Sequence, residues 1–338
     1  MNKILALFLA LSLFSCIEEK DKEESKREFI IAFGSCDNQE LPNILWNEIL
    51  KNKPDLFIWG GDIIYADGMD IRGMQMSYEK QKNDSTYQNF KQDIHIMGTW
   101  DDHDYGLNDG GREFEKKDSV QDIFLDFFDI DSVDNRRTRK GIYYSEKFLI
   151  EENSVNIIVL DTRYFRTKLT VDTTGNKRYI PNTFGQGTIL GKAQWKWLEQ
   201  ELKSTNSGFN IIVSSIQFLS KEHGFETWGN MPHEVNKMKE IISDSGAKGV
   251  IILSGDRHLA EISMDSIKNV NYPIMDFTSS GLTHSYSSFK GEPNNYRISK
   301  VVAEINFGVL KFDFKTNNVS MEIRGRNNRL LENITQKY

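Results

Sequence analysis

From residue 28 onward the apolar positions follow two alternating rhythms. Short apolar runs at 29–33, 56–59 and 250–253, and apolar-rich segments at 211–215, 259–264 and 275–278, predict strands. Between them, apolar residues recur at helical spacing in 41–51 (Leu41, Ile44, Leu45, Ile49), 87–97, 120–128 (Ile123, Phe124, Phe127, Phe128), 190–202 (Trp195, Leu198, Leu202) and 233–242. Segments 141–150 and 155–160 predict one hairpin, and 301–314 with 319–324 another across 315–318. Strands alternating with helices predict an α/β fold carrying an antiparallel C-terminal addition. Two long stretches, 67–86 and 167–189, predict loops suited to lids or substrate walls. The chain has no internal repeat and no linker between domains.

Several of the strand-like runs end on side chains that bind metals. Cys36 follows the first, Asp62 and Tyr65 the second, Asp101, Asp102 and His103 a third, and Asp256 and His258 a later one. Asp161 and Gln217 also fall just past such runs. Ligands of open α/β sheets sit beyond the carboxyl ends of the strands, so these groups converge if the strands lie side by side. Thiolate, nitrogen and oxygen ligands together suit a transition metal, and the carboxylate-rich remainder suits Ca²⁺ or another hard cation. Gly60 and Gly61 before Asp62 permit close backbone approach. Metals a few ångströms apart clamp phosphoryl oxygens and lower the pKa of bound water, which points to phosphoryl chemistry. His103, set among carboxylates that favour its charged form, is the candidate proton donor to a leaving alkoxide.

The residues alone leave some roles open. Tyr65 suits a strand-end tyrosine or a ligand, Asp161 and Arg163 suit a buried ion pair that shapes the site, and Asp104 suits a partner that orients His103. His95 reads as a surface or packing residue on the 87–97 helix. His223, His233 and His284 have no paired ligand spacing.

The net charge of −7 in 338 residues excludes a nucleic-acid scaffold, which needs a basic stripe, but not a small phosphate substrate. Residues 1–15 read as a secretory signal, with a basic start and an apolar run too short to span a bilayer. Leu13-Phe14-Ser15-Cys16 resembles a bacterial lipobox, which implies lipidation of Cys16 and anchoring to the outer membrane, on its periplasmic or outer face. The charged stretch 17–28 reads as a solvated tether, so the expected organisation is a signal at 1–15, a tether at 16–28 and one domain at 29–338. With Cys16 lipidated, Cys36 has no disulfide partner, and its place at a strand end beside an acid favours a ligand.

Taken together, GSC at 34–36, GGDIIYAD at 60–67, TWDDHD at 99–104, LDTRYFR at 160–166, LGKAQWKWLEQEL at 190–202 and SGDRH at 254–258 resemble the alkaline phosphatase D (PhoD-type) branch of the calcineurin-like metallophosphoesterases. The resemblance spans most of 30–285. It implies an α/β/β/α sandwich with antiparallel C-terminal strands and a metal-dependent phosphoesterase acting on mono- or diesters. By position, it implies Cys36 and Tyr65 as ligands of Fe³⁺, Asp62 as a bridging ligand, Asp101 and Asp102 on the Ca²⁺ side with Asn108 a weaker candidate, and Asp256 and His258 as a C-terminal ligand pair. Mn²⁺ or Zn²⁺ are the alternative metals. His103 matches the superfamily's catalytic histidine, and Arg163 and Arg257 are candidates to contact phosphate. The separate N-terminal β-domain of longer members is not expected, and 224–230 only partly matches the family pattern, which bears on substrate choice. Two other readings are phospholipid or nucleic-acid diester hydrolysis and, in a different class, a non-catalytic surface binding lipoprotein. A monomer is expected.

Overall fold

A computed structural model of the chain describes residues 28–338; the expected signal, Cys16 and nearly all of the tether lie outside the described residues. In chain order the strands are β1 (Phe29–Gly34), β2 (Leu56–Gly60), β3 (His95–Thr99), β4 (Tyr144–Ile150), β5 (Asn153–Val159), β6 (Thr170–Val171), β7 (Tyr179–Ile180), β8 (Phe209–Val213), β9 (Val250–Ser254), β10 (Ala260–Ser266), β11 (Pro273–Ser279), β12 (Phe307–Asp313), β13 (Asn318–Arg324) and β14 (Leu330–Lys337). The helices are α1 (Trp46–Leu50), α2 (Ile71–Asn83), α3 (Ser85–Phe90), α4 (Asp102–Tyr105), α5 (Lys117–Phe127), α6 (Gly191–Ser204) and α7 (Pro232–Ser245).

Two six-stranded sheets result, ordered β14-β13-β12-β1-β2-β3 and β10-β11-β9-β8-β5-β4. Each has a parallel half: β1, β2 and β3 run together in the first, and β5, β8, β9 and β11 in the second. The strand alternation assigns three apolar layers. Ile31 and Phe33 of β1 face Ile211 and Val213 of β8 and Ile251 and Leu253 of β9 in a core between the sheets. Ala32 of β1 with Phe57 and Trp59 of β2 points the other way, onto residues of α1, α2, α3 and α5. Ile158, Ile212 and Ile252 do the same on the second sheet, against α6 and α7. Strands covered on both faces must be apolar on both, which is why they appear in the sequence as unbroken runs. The architecture is the α/β/β/α sandwich, and its antiparallel β12–β14 extension completes the first sheet.

Three expectations are corrected. The stretch 87–97 is not one helix: α3 stops at Phe90, and His95–Thr99 is β3, paired parallel with β2. His95 therefore stands at a strand start, 3.2 Å from Glu146 of β4. Residues 67–86 are not a loop but contain α2, whose buried face is only Met74, Ser77, Tyr78 and Gln81. So thin an apolar stripe leaves little periodic signal. Of 41–51, only Trp46–Leu50 is helical. By contrast, 167–189 is irregular apart from the two-residue pair β6–β7. No helix among the described residues is long and apolar enough to cross a membrane.

Candidate metal centre

The parallel strands of both sheets end at the same edge of the sandwich, and Thr99 Oγ1 at the end of β3 donates to Leu160 O just past β5 at 2.6 Å. The backbone turns sharply there. Cys36, Asp62, Asp256 and His258 all adopt left-handed φ, between 52° and 69°. Non-glycine residues rarely do so, and four together at one strand edge mark a place where side-chain direction outweighs backbone comfort. Gly61, at φ 99°, is required: a Cβ there would lie 2.5 Å from Asp101 Cβ. Gly255 is constrained by space instead, since a Cβ would meet Ser35 Oγ at 2.5 Å and Gly60 O at 2.7 Å.

The sequence candidates converge. Cys36 Sγ donates to Asp62 Oδ2 at 3.2 Å and lies 3.0 Å from Ser280 Oγ. The phenol of Tyr65 is 3.0 Å from His258 Nε2. Ligand atoms of Cys36, Asp62 and His258 fall within 4.8 Å of one another, as do those of Asp62, Asp102 and His103, and those of Asp101, Asp102 and Asp256. Asp62 and Asp102 each belong to two or more of these groups, so the three form one continuous cluster.

His103 opens α4. Its backbone N–H donates to Asp62 Oδ1 at 3.3 Å, its Nδ1 is bound to Asp67, and its ring stacks on Tyr65 at 4.2 Å. Its Nε2 is 4.0 Å from Asp102 Oδ1. The Asp104 carboxylate is turned to other groups than the His103 ring: it accepts from Ile63 N at 3.0 Å and Asp101 N at 2.5 Å, tying β2's exit to that of β3. Asn108 Nδ2 donates to Asp102 Oδ2 at 3.1 Å, and Asp109 N to the same oxygen at 2.7 Å.

Other candidates lie elsewhere. Arg163 has no exposed surface. Its Nε donates to Asp101 Oδ1 at 2.6 Å and its Nη1 to Glu226 Oε2 at 2.6 Å. A guanidinium so enclosed props the cluster from below and does not present itself to a substrate. Nor does Asp161 form the expected ion pair with its guanidinium: Asp161 accepts from Trp100 Nε1 and from the backbone N–H groups of Ile142, Arg163 and Tyr164. Arg257 is buried against Glu292 and over the ring of Phe225. Gln217 is engaged by Glu261 and Thr278.

Residues not singled out join the site. His284 Nε2 is 3.1 Å from the Tyr65 phenol, with its ring 4.5 Å from that of His258, and Ser280 Oγ bonds both Cys36 Sγ and His258 N. Asp67 and Glu226 hold His103 and Arg163. Two of these lay in segments the sequence had marked: Asp67 in GGDIIYAD and Glu226 in the partly matching 224–230.

The electrostatics show a deficit of positive charge. Burial pushes the Cys36 thiol up to about 12 and the Asp101 carboxyl up to about 7, and raises Asp62 and Asp256 well above the carboxylate range, with neighbouring acids adding to it. Burial pushes His258 down to about 3. At His103 burial opposes charge, but Asp62, Asp67 and Asp102 outweigh it and raise the imidazolium to about 11. Two buried carboxylate oxygens, Asp101 Oδ2 and Asp102 Oδ1, have no hydrogen-bond partner. Buried acceptors without donors are costly, and bound cations would satisfy both them and the charge. The donor set therefore fits metals: thiolate, phenolate and imidazole on one side, carboxylates on the other.

Comparison with known proteins agrees with this geometry. A family model described as PhoD-like phosphatase matches residues 31–322. Alkaline phosphatase D of Bacillus subtilis (strain 168) is 24% identical over 277 residues, which cover 68% of this chain and 46% of that protein. The chain thus spans about half the length of that curated relative. A solved structure of PhoD superposes with a TM-score of 0.71 at 17% identity, covering 87% of this chain and 65% of that one. GAP50, described as the anchor in the inner membrane complex of Plasmodium, shares the fold with a TM-score of 0.54 at 10% identity, over 92% of this chain and 89% of its own.

Proposed function

The chain belongs to the PhoD-like phosphatase family, and from that premise we propose that it hydrolyses phosphate esters at a metal cluster held by Cys36, Asp62, Tyr65, Asp101, Asp102, Asp256 and His258. The observation that carries this reading is the convergence, at one edge of two sheets, of three overlapping ligand groups containing buried acceptors without donors. The Cys36, Tyr65 and His258 side suits Fe³⁺ and the Asp101 and Asp102 side suits Ca²⁺, with Mn²⁺ or Zn²⁺ the alternatives. When bound, such cations supply Lewis acidity to the phosphoryl oxygens and a more acidic water.

The chain's own groups do the rest. Asp62 shares its two oxygens between the Cys36 side and the backbone N–H of His103, so it spans both halves of the cluster. With Nδ1 of His103 held by Asp67, Nε2 is the ring nitrogen left to hold a transferable proton. The Asp67 carboxylate on Nδ1 favours the charged ring, which can give its Nε2 proton to the leaving alkoxide. Asn108 and the Asp109 N–H fix the orientation of Asp102. We also propose that Cys16 is lipidated and anchors the protein to the bacterial outer membrane.

Metal-replete protein should turn over an aryl phosphate, an aryl phosphodiester or both, and Asp62→Asn should reduce turnover to background with less metal by elemental analysis. A purely binding role, with structural metals, instead predicts that neither ester is hydrolysed by the unmodified protein.

A further inference from the structure

Among the described residues, Arg163, Arg166, Arg257 and Arg178 lie around the cluster, and the first three are enclosed. Arg163 and Arg166 are buried on Glu226, and Arg257 is buried on Glu292. The fourth, Arg178, has 48% of its side chain exposed. It lies immediately before β7, in the irregular stretch 167–189.

Its backbone is not loose. The N–H groups of Arg178 and Tyr179 both donate to Gly224 O, at 3.1 and 2.9 Å, and Asp172 N donates to Arg178 O at 3.1 Å. Two residues past Gly224, Glu226 is locked beneath the cluster by Arg163 and Arg166. The 224–230 segment, which only partly matches the family pattern, therefore ties the hairpin wall to the floor of the site.

At its other end Arg178 pairs with Asp109, whose carboxylate also accepts from the Tyr179 hydroxyl at 2.8 Å. Asp109 in turn donates its N–H to Asp102, and carboxylate oxygens of Asp102, Asp109 and Glu226 lie within 4.8 Å of one another. The Arg178 guanidinium is thus one carboxylate removed from a proposed metal ligand, with open surface beside it.

We propose that Arg178 recognises the phosphate of the substrate and biases the site towards phosphomonoesters over diesters. The proposal rests on the phosphoesterase reading. A monoester at neutral to alkaline pH brings one more negative charge and one more unesterified oxygen than a diester. A planar guanidinium with donors to spare gains from both. The enclosed arginines could reach a ligand only by giving up their contacts to Glu226 or Glu292. Asp109 acts as the rest position that holds Arg178 over the site.

The test combines calorimetric titration of metal-loaded protein with inorganic phosphate and steady-state kinetics on an aryl monoester and an aryl diester. For Arg178→Ala, phosphate Kd and monoester KM should each rise about 10- to 100-fold, with diester KM changing less than about threefold. Arg178→Lys should recover part of the loss, and elemental analysis should find the metal content unchanged. Unaltered phosphate affinity, equal losses on both esters, or lost metal would each overturn the proposal, the last by showing that Arg178 merely positions Asp109. If the unmodified protein hydrolyses neither ester, the phosphoesterase reading falls, while the phosphate titration still decides the role of Arg178. Absence of phosphate binding to the unmodified protein would overturn the role of Arg178, while ester turnover alone decides the phosphoesterase reading.

Discussion

Arg163 divides one guanidinium between Asp101 and Glu226 in a place with no solvent. Desolvating three charged groups is repaid only while all are paired, so removing the cation should hurt more than the net worth of the bridge. Arg163→Met is expected to lower unfolding free energy by about 3–5 kcal/mol in denaturant titration. Adding Asp101→Asn should return part of that loss, because the carboxylate left without its guanidinium is then gone, whereas Glu226 keeps Arg166. A single variant as stable as the parent would show that water reaches these carboxylates. The contrast with sequence reading is sharp at this residue. LDTRYFR marked Arg163 as interesting, but its motif does not tell whether a guanidinium points at a ligand or at the carboxylates below it. His284 was missed for a different reason. It pairs with Tyr65 and His258 across 219 and 26 positions of chain, and no spacing rule reaches a partner contributed by a remote loop. Cys36, Asp62, Asp101, Asp102, Asp256 and His258 were legible because each follows a parallel strand, and the ends of parallel strands come together by topology.

Elements were readable in proportion to how much apolar surface they bury. The strands β1, β2, β8 and β9 are covered on both faces and stand out as unbroken runs. The edge strand β14 is mostly half-buried or exposed and left no such run. The helix α2 is the instructive miss. Its start is encoded not by periodicity but by Asp70, whose side chain accepts from Gly73 N at 2.8 Å. The helix then backs the centre, with Tyr78 OH donating to Asp104 O at 3.2 Å. Asp70→Ala should cost about 1 kcal/mol of stability, measured from the denaturant midpoint, with ester turnover unchanged. Loss of turnover at intact stability would mean that α2 adjusts the α4 segment and not merely supports it. The β3 error has a related cause. His95 to Thr99 carries one buried apolar side chain, Met97, so the tertiary pairing with β2 decides its form and local pattern does not.

The two sheets meet along an apolar core, but at their shared edge they meet through acids. Without cations that edge should work against folding in a pH-dependent way. Asp101 has a folded pKa of about 7 against an ordinary 3.8, and Asp62, Asp104 and Asp256 are raised in the same direction, chiefly by burial. A carboxyl whose pKa is higher in the folded state favours folding fully below its unfolded value, about pH 4, and loses that contribution as pH rises through about 7. For Asp101 alone the shift corresponds to a loss on the order of 4 kcal/mol. Bound cations reverse the sign, because they favour the deprotonated acids and add the binding free energy to the folded state. Chelator-treated protein should therefore become less stable between about pH 6.5 and 8, above the range in which His258 and His223, held neutral by burial, act in the opposite direction, while metal-loaded protein should hold or gain stability over the same range. Thermal unfolding of the two forms at matched ionic strength measures this. Parallel pH profiles would mean that the strand-end carboxylates are not where the cations bind. A divergence that opens as Asp101 ionises would instead tie metal occupancy to the same edge that orders the ends of both sheets.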